Sequence, residues 1–248
     1  MVVIRDDKRI ARLGRLAQIF SFAGLGVLIA GLLLIFITDN ANVFIYQMVA
    51  LVIGFILSQF GLHFAHRYLR RPRMDQVLDK AAGKFARKDG RLYHYMLPAN
   101  HALLLPTSVI VLVAKFQTGR ISASGDVWQQ KGLGLRGMMG REGLGNPSRE
   151  ADEAVARLKA FIDGAAPLAA EVPVIPIIVF TAQNIDSLEV KESRIPAVHA
   201  AKLSGALRQS TINLKPMPAE AYQALRAAFD ARSAHVLEQS VDETAEQE

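Results

Sequence analysis

Two stretches near the start of the chain, residues 16–38 and 43–64, carry no acidic or basic side chain apart from His63, and only Asp39, Asn40, Ala41 and Asn42 separate them. A helix rises about 1.5 Å per residue, so each stretch covers the ~30 Å hydrocarbon core of a bilayer. Both are apolar on every face and longer than most helices buried in soluble cores, which leaves little room for a soluble reading. A cleaved signal peptide is the competing account of the first stretch. Its length exceeds the 7–15 apolar residues of a typical signal core, and no small-x-small site precedes Asp39. The pair therefore predicts a transmembrane hairpin, with Gly24, Gly26, Gly31, Gly54 and Gly61 available to let its helices approach closely.

Charge orients this hairpin. Arg5, Lys8, Arg9, Arg12 and Arg15 precede the first stretch, Arg67, Arg70, Arg71 and Arg73 follow the second, and the connecting turn carries no basic residue. The positive-inside bias then predicts an integral, two-pass membrane protein with both termini cytoplasmic and the bilayer as its first partner. Gln47, Ser58, Gln59, His63 and His66 interrupt the second stretch. Gln47 and His63 stand near opposite interfaces, so they define no ion path. Much of the net charge of +6 sits beside the hairpin, where it faces lipid headgroups, so a basic chain is weak evidence for nucleic acid here. The chain has no cysteine, which excludes disulfides, thiolate metal sites and thiol catalysis.

Five segments follow from these signals: a basic N-terminus (1–15), the hairpin (16–64), a cytoplasmic α/β domain (72–215), a C-terminal helix (216–239) and an acidic tail (240–248) that is poor in apolar residues. Within the domain, helical spacing of Val77, Leu78, Ala81, Ala82 and Phe85 predicts a helix over 74–87. Short β-rich runs at 92–97, 101–105 and 109–116 predict adjoining antiparallel strands, with a further strand over 121–128. Pro147 opens a helix predicted over 148–162, and 174–181 reads as a strand covered on both faces, with Pro176 limiting its pairing. Helices over 197–209 and 218–239 complete an α/β domain with a mixed sheet flanked by helices.

Several of these segments carry a family pattern: Asn100-His101, then Val109-Ile-Val-Leu-Val-Ala-Lys115-Phe-Gln-Thr-Gly119, then Trp128, Asn146-Pro147 opening a helix, and Ile178-Val-Phe-Thr181 ending a strand. Over about residues 74–209 the chain resembles the nuclease-related (NERD) domain. That family's pattern is an Asp-His pair, a strand ending Glu-x-Lys followed shortly by Gly, an Asn-Pro helix start with Gln nearby, and an apolar strand ending Val-Phe-Thr. The resemblance implies a PD-(D/E)xK nuclease-like fold, in which carboxylates hold a divalent metal and the lysine positions the attacking water. Here the family's Asp falls on Asn100, its Glu on Val113, its Lys on Lys115 and its Gln on Glu150.

Only the lysine survives, and that bears on chemistry. Mg²⁺ takes carboxylate oxygens, and phosphodiester cleavage at neutral pH relies on the metal to activate water. Val113 offers no ligand and Asn100 only a neutral carbonyl oxygen. No catalytic residue, no metal site and no cofactor are therefore predicted; Mg or Mn enters only if carboxylates have relocated, with Asp75, Asp126 and Glu150 the nearest candidates. Residues two apart on a strand share a face, so Val113 and Lys115 should project together. The plain reading of Lys115, which the sequence favours over a working role, is a strand-end lysine reaching solvent.

Gly132-Leu-Gly134-Leu-Arg136-Gly137 matches GxGxxG without the buried strand before it or the helix after it that a pyrophosphate loop needs. It reads as a glycine-rich loop whose Lys131, Arg136 and Arg141 are candidate anion contacts. His94 and His101 fall on different strands and His199 and His235 on distant helices, so no ligand set is argued, and Tyr93, Tyr95 and Trp128 read as core. The leading expectation is a membrane-anchored protein whose nuclease-like domain is a non-catalytic binding or scaffold module, with nucleic acid or a protein as its partner. The alternatives are an active membrane-tethered nuclease and a module that recruits partners through its hairpin.

Overall fold

In the computed structural model, residues 1–37, 42–69, 71–86, 89–132, 143–234 and 236 are described, and they form two compact units. One is a helical hairpin over Asp7–Arg73; the other is a globular unit made of Met1–Asp6 and the described residues from Met74 on. In chain order the elements are β1 (Val2–Arg5), α1 (Asp7–Ile37), α2 (Val43–Tyr68), α3 (Met74–Gly83), β2 (Arg91–His94), β3 (His101–Leu105), β4 (Ser108–Lys115), β5 (Gly119–Ser124), β6 (Val127–Lys131), α4 (Pro147–Ala165), β7 (Val174–Phe180), β8 (Ile185–Lys191), β9 (Ala197–His199), α5 (Leu203–Thr211) and α6 (Ala219–Arg232).

Helices α1 and α2 are both long and apolar enough to cross a membrane, and their outer faces are bare: Phe22 is 71% exposed, Phe36 80% and Phe44 69%. The faces between them are built from small residues. A Cβ on Gly24 would lie 2.8 Å from the Ser58 nitrogen, one on Gly31 2.6 Å from the Ala50 Cβ, and one on Gly61 2.7 Å from the Ser21 nitrogen. Four of the five glycines named from the sequence thus permit the close approach. Gly26 faces away, with nothing within 4 Å of a Cβ built on it.

The globular unit is a mixed sheet flanked by helices, in strand order β1-β2-β3-β4-β7-β9. Strands β2, β3 and β4 pair antiparallel, whereas β1 with β2, β4 with β7 and β7 with β9 are parallel. Alternation along β4 splits the core. Val109 and Val111 join Ala154, Leu158 and Ile162 of α4 and Ala221, Leu225 and Phe229 of α6; Ile110 and Leu112 join Leu78, Ala81 and Ala82 of α3 and Leu203 and Leu207 of α5. Pro176 fits because the even residues of β7 turn toward β9, where Ile178 donates to the Pro196 carbonyl at 2.9 Å. Two residues earlier, the missing N–H of Pro176 meets no ladder, since β9 begins only at Ala197.

A second, three-stranded sheet, β6-β5-β8, corrects the single strand expected over 121–128. Gly125 adopts φ +58°, a left-handed turn that reverses the chain between β5 and β6. Strand β2 stops at His94, short of the expected 97, because Tyr95 takes φ 61°. The helix expected over 197–209 begins only at Leu203: Ala197, Val198 and His199 are captured as β9 beside Ile178, Val179 and Phe180. The first residues, read as part of a basic N-terminus, are strand β1. The C-terminal helix packs on its own unit, where Tyr93 stacks edge-on to Phe229 at 5.4 Å and Arg91 grips both oxygens of Asp230 at 2.7 and 2.8 Å. The turn 39–41 and the acidic tail lie outside the described residues.

The glycine faces of the hairpin yield an expected outcome. Gly24→Val or Gly61→Val should cost about 1–3 kcal/mol through overpacking, read as earlier loss of helicity when the full chain is titrated with denaturing detergent. Gly26→Val should stay within about 0.5 kcal/mol.

Candidate functional site

Strand alternation places Val113 and Lys115 of β4 on one face, beneath the start of α4. Val113 packs with Ala151 and Ile178, and the Lys115 ammonium reaches the Glu150 carboxylate at 2.5 Å and the Leu144 carbonyl at 3.0 Å. Helix α4 opens there because Asn146 accepts a hydrogen bond from the Arg149 N–H at 3.1 Å and Pro147 occupies the first turn, where its missing N–H costs nothing. That start sets Glu150 over the end of β4. The segment before it is tied down by the same strand end: Gln117 donates to the Gly143 carbonyl at 3.1 Å, and Leu144 is buried. The Lys115 carbonyl accepts from the Thr181 N–H at 2.7 Å and hydroxyl at 3.1 Å, joining β4 to β7.

Lys115 is therefore not the solvent-reaching lysine that its strand-end position suggested. It is 7% exposed and shielded by an ion pair whose other member, Glu150, keeps a side chain 47% exposed. Asn100 lies in the turn between β2 and β3, its side chain exposed and its carbonyl accepting from the Tyr95 N–H at 2.6 Å. Continuing the β3–β4 register by two positions from Ala102 opposite Val111 brings Asn100 level with Val113. The backbone thus brings the four motif positions to one end of the sheet, where Glu150 is the one carboxylate among them.

The other relocation candidates lie apart from it. Asp75 sits on α3, against the opposite face of the sheet, bonded to Arg5 at 3.0 Å, and Asp126 lies in the β5–β6 turn, paired with Arg194 at 3.1 Å. No group of three or more His, Asp or Glu side chains suited to a metal occurs among the described residues. Lys131 ends β6 exposed, and Arg136 and Arg141 lie outside the described residues. Trp128 is engaged in packing: its indole N–H donates to the Ser148 hydroxyl at 2.8 Å and its ring lies 5.9 Å from that of Phe180.

A second cluster emerges that sequence reading left scattered. The antiparallel register sets His94 opposite His101, with their Nδ1 atoms 2.7 Å apart. His94 Nε2 lies 2.8 Å from an Asp79 oxygen, and the other oxygen of Asp79 accepts from Arg5 at 2.7 Å, the same guanidinium nitrogen that bonds Asp75. Burial alone would raise the Asp79 carboxyl, but the hydrogen bond and charge of His94, with Arg5, outweigh it and hold the group below its ordinary range. The signal for this cluster was the equal distance of His94 and His101 from the β2–β3 turn, which becomes informative only when the turn is known.

No family model, curated protein or solved structure matches this chain.

The Asp79 shift has a definite sign. Folding lowers its pKa from 3.8, so the stability it lends is present above about pH 4 and is lost as pH falls through the lower folded value. Asp79→Asn should lower stability at neutral pH and flatten the acid-side decline, measured by urea unfolding of the full chain between about pH 6 and pH 3.

Proposed function

We propose that this chain is a membrane-anchored protein of the NERD type whose globular unit has a PD-(D/E)xK nuclease-like frame and serves as a non-catalytic binding or scaffold module. The observation that carries this reading is the state of Lys115. Its ammonium is buried against Glu150 and the Leu144 carbonyl, and Val113 stands at the position where the family pattern has a metal-binding carboxylate. A lone carboxylate already engaged with a lysine is a poor seat for Mg²⁺, which takes several oxygen ligands. Removing the metal removes the activated water and the charge neutralisation that phosphodiester cleavage needs.

The anchor reading is supported by two apolar helices with exposed outer faces, and the basic residues flanking them support cytoplasmic termini. Connectivity supports a two-pass arrangement, since β1 leads into α1 and α2 leads into α3, and β1 and α3 belong to one unit joined through Arg5.

The test is cleavage of labelled single- and double-stranded DNA and RNA by the full chain in detergent with Mg²⁺ or Mn²⁺, beside Lys115→Ala. The full chain is required because a fragment starting at residue 72 lacks β1. The expected result is no metal-dependent cutting above the Lys115→Ala background. Cutting that the substitution abolishes would establish the tethered nuclease instead, and salt-sensitive binding without cutting would identify nucleic acid as the ligand.

A further inference from the structure

Helix α1 does not begin where its uncharged run begins. It starts at Asp7 and continues without a break into the run that opens at Leu16, so two turns of polar helix are rigidly joined to the apolar segment. Positions i, i+4 and i+7 share a helix face, which aligns Lys8, Arg12 and Arg15 in one stripe that continues as Ile19 and Phe22. All five side chains are exposed, whereas Ile10, Gly14 and Ala17 on the opposite side are buried. Arg12 and Arg15 make no hydrogen bond or ion pair among the described residues.

The end of α2 lies at the same level. A Cβ on Gly14 would stand 3.1 Å from a Leu69 methyl carbon and 3.8 Å from the Tyr68 carbonyl oxygen. Tyr68 stacks on Phe64, ring centroids 6.2 Å apart, and a tyrosine beside an apolar helix is the residue that settles at headgroup depth. Arg67 precedes it and Arg71 and Arg73 follow. The acid of this unit near them, Asp7, is paired with Arg73 at 3.1 Å.

We propose that this basic collar is a binding surface for anionic phospholipid headgroups, with Arg12 and Arg15 as its principal contacts; the inference rests on the membrane reading above. An arginine fork matches a phosphate with two parallel hydrogen bonds, and an unpaired arginine at the boundary between charge and hydrocarbon has that group within reach. A zwitterionic choline lipid presents the same phosphate with a compensating cation, so the collar favours a lipid of net negative charge.

The test is native mass spectrometry of the full chain released from mixed phosphatidylcholine and phosphatidylglycerol, with membrane retention in alkaline carbonate measured in parallel. Retained phosphatidylglycerol should exceed phosphatidylcholine by about tenfold, the preference should shrink at high salt, and Arg12→Gln with Arg15→Gln should bring it near parity while carbonate retention is unchanged. A wild-type chain that stays in the membrane without choosing between the lipids overturns this inference alone, as does a preference that survives both substitutions. A chain stripped by carbonate overturns the membrane reading and this inference with it.

Discussion

Arg5 joins parts of the chain separated by 70 and 74 residues, and the long interval is occupied by the helical hairpin. Its guanidinium holds Asp75 and Asp79 on α3 while its backbone continues β1 in the sheet beside His94. The strand that leads into the hairpin and the helix that leaves it are thereby fixed to each other within one globular unit. Asp75 is fully buried, and the guanidinium gives its carboxyl a hydrogen-bond partner where water does not reach. The hairpin is thus an insertion into the fold rather than a leader placed before it.

A second constraint acts at the far end of β4. Lys115 draws together the strand end, the Leu144 carbonyl and the first turn of α4, and through Thr181 the same residue joins β4 to β7. With 7% of its surface exposed, Lys115 ties these three parts together from inside the unit. Asn100, Val113 and Glu150 come to the same end of the sheet, and Glu150 is the one carboxylate among these positions.

The legible parts of the sequence were those governed by local pattern. Two uncharged runs gave the hairpin, short β-rich apolar runs gave β3, β4 and β7, and Asn146-Pro147 gave the start of α4. What escaped depended on partners distant in sequence. Residues 197–199 have an alanine-rich continuation that favours helix, yet pairing with β7 makes them strand. Arg5 read as one more positive charge before a membrane segment, because its role requires α3 to lie beside β1. Lys115 was legible as a motif position but not as a buried one, since its enclosure comes from the α4 cap and the segment before it. His94 and His101 were visible individually and became a pair only through register.

The proposed membrane anchor requires the hairpin to cross the bilayer with both ends on one side. The chain has no cysteine, so a single introduced one reports its own exposure. The measurement is labelling of Asn40→Cys and Glu246→Cys in intact cells with a membrane-impermeant maleimide, before and after permeabilisation. The expected result is that the turn position labels from outside and that position 246 labels only once the membrane is opened. Labelling of position 246 from outside, or protection of the turn position until permeabilisation, would contradict it.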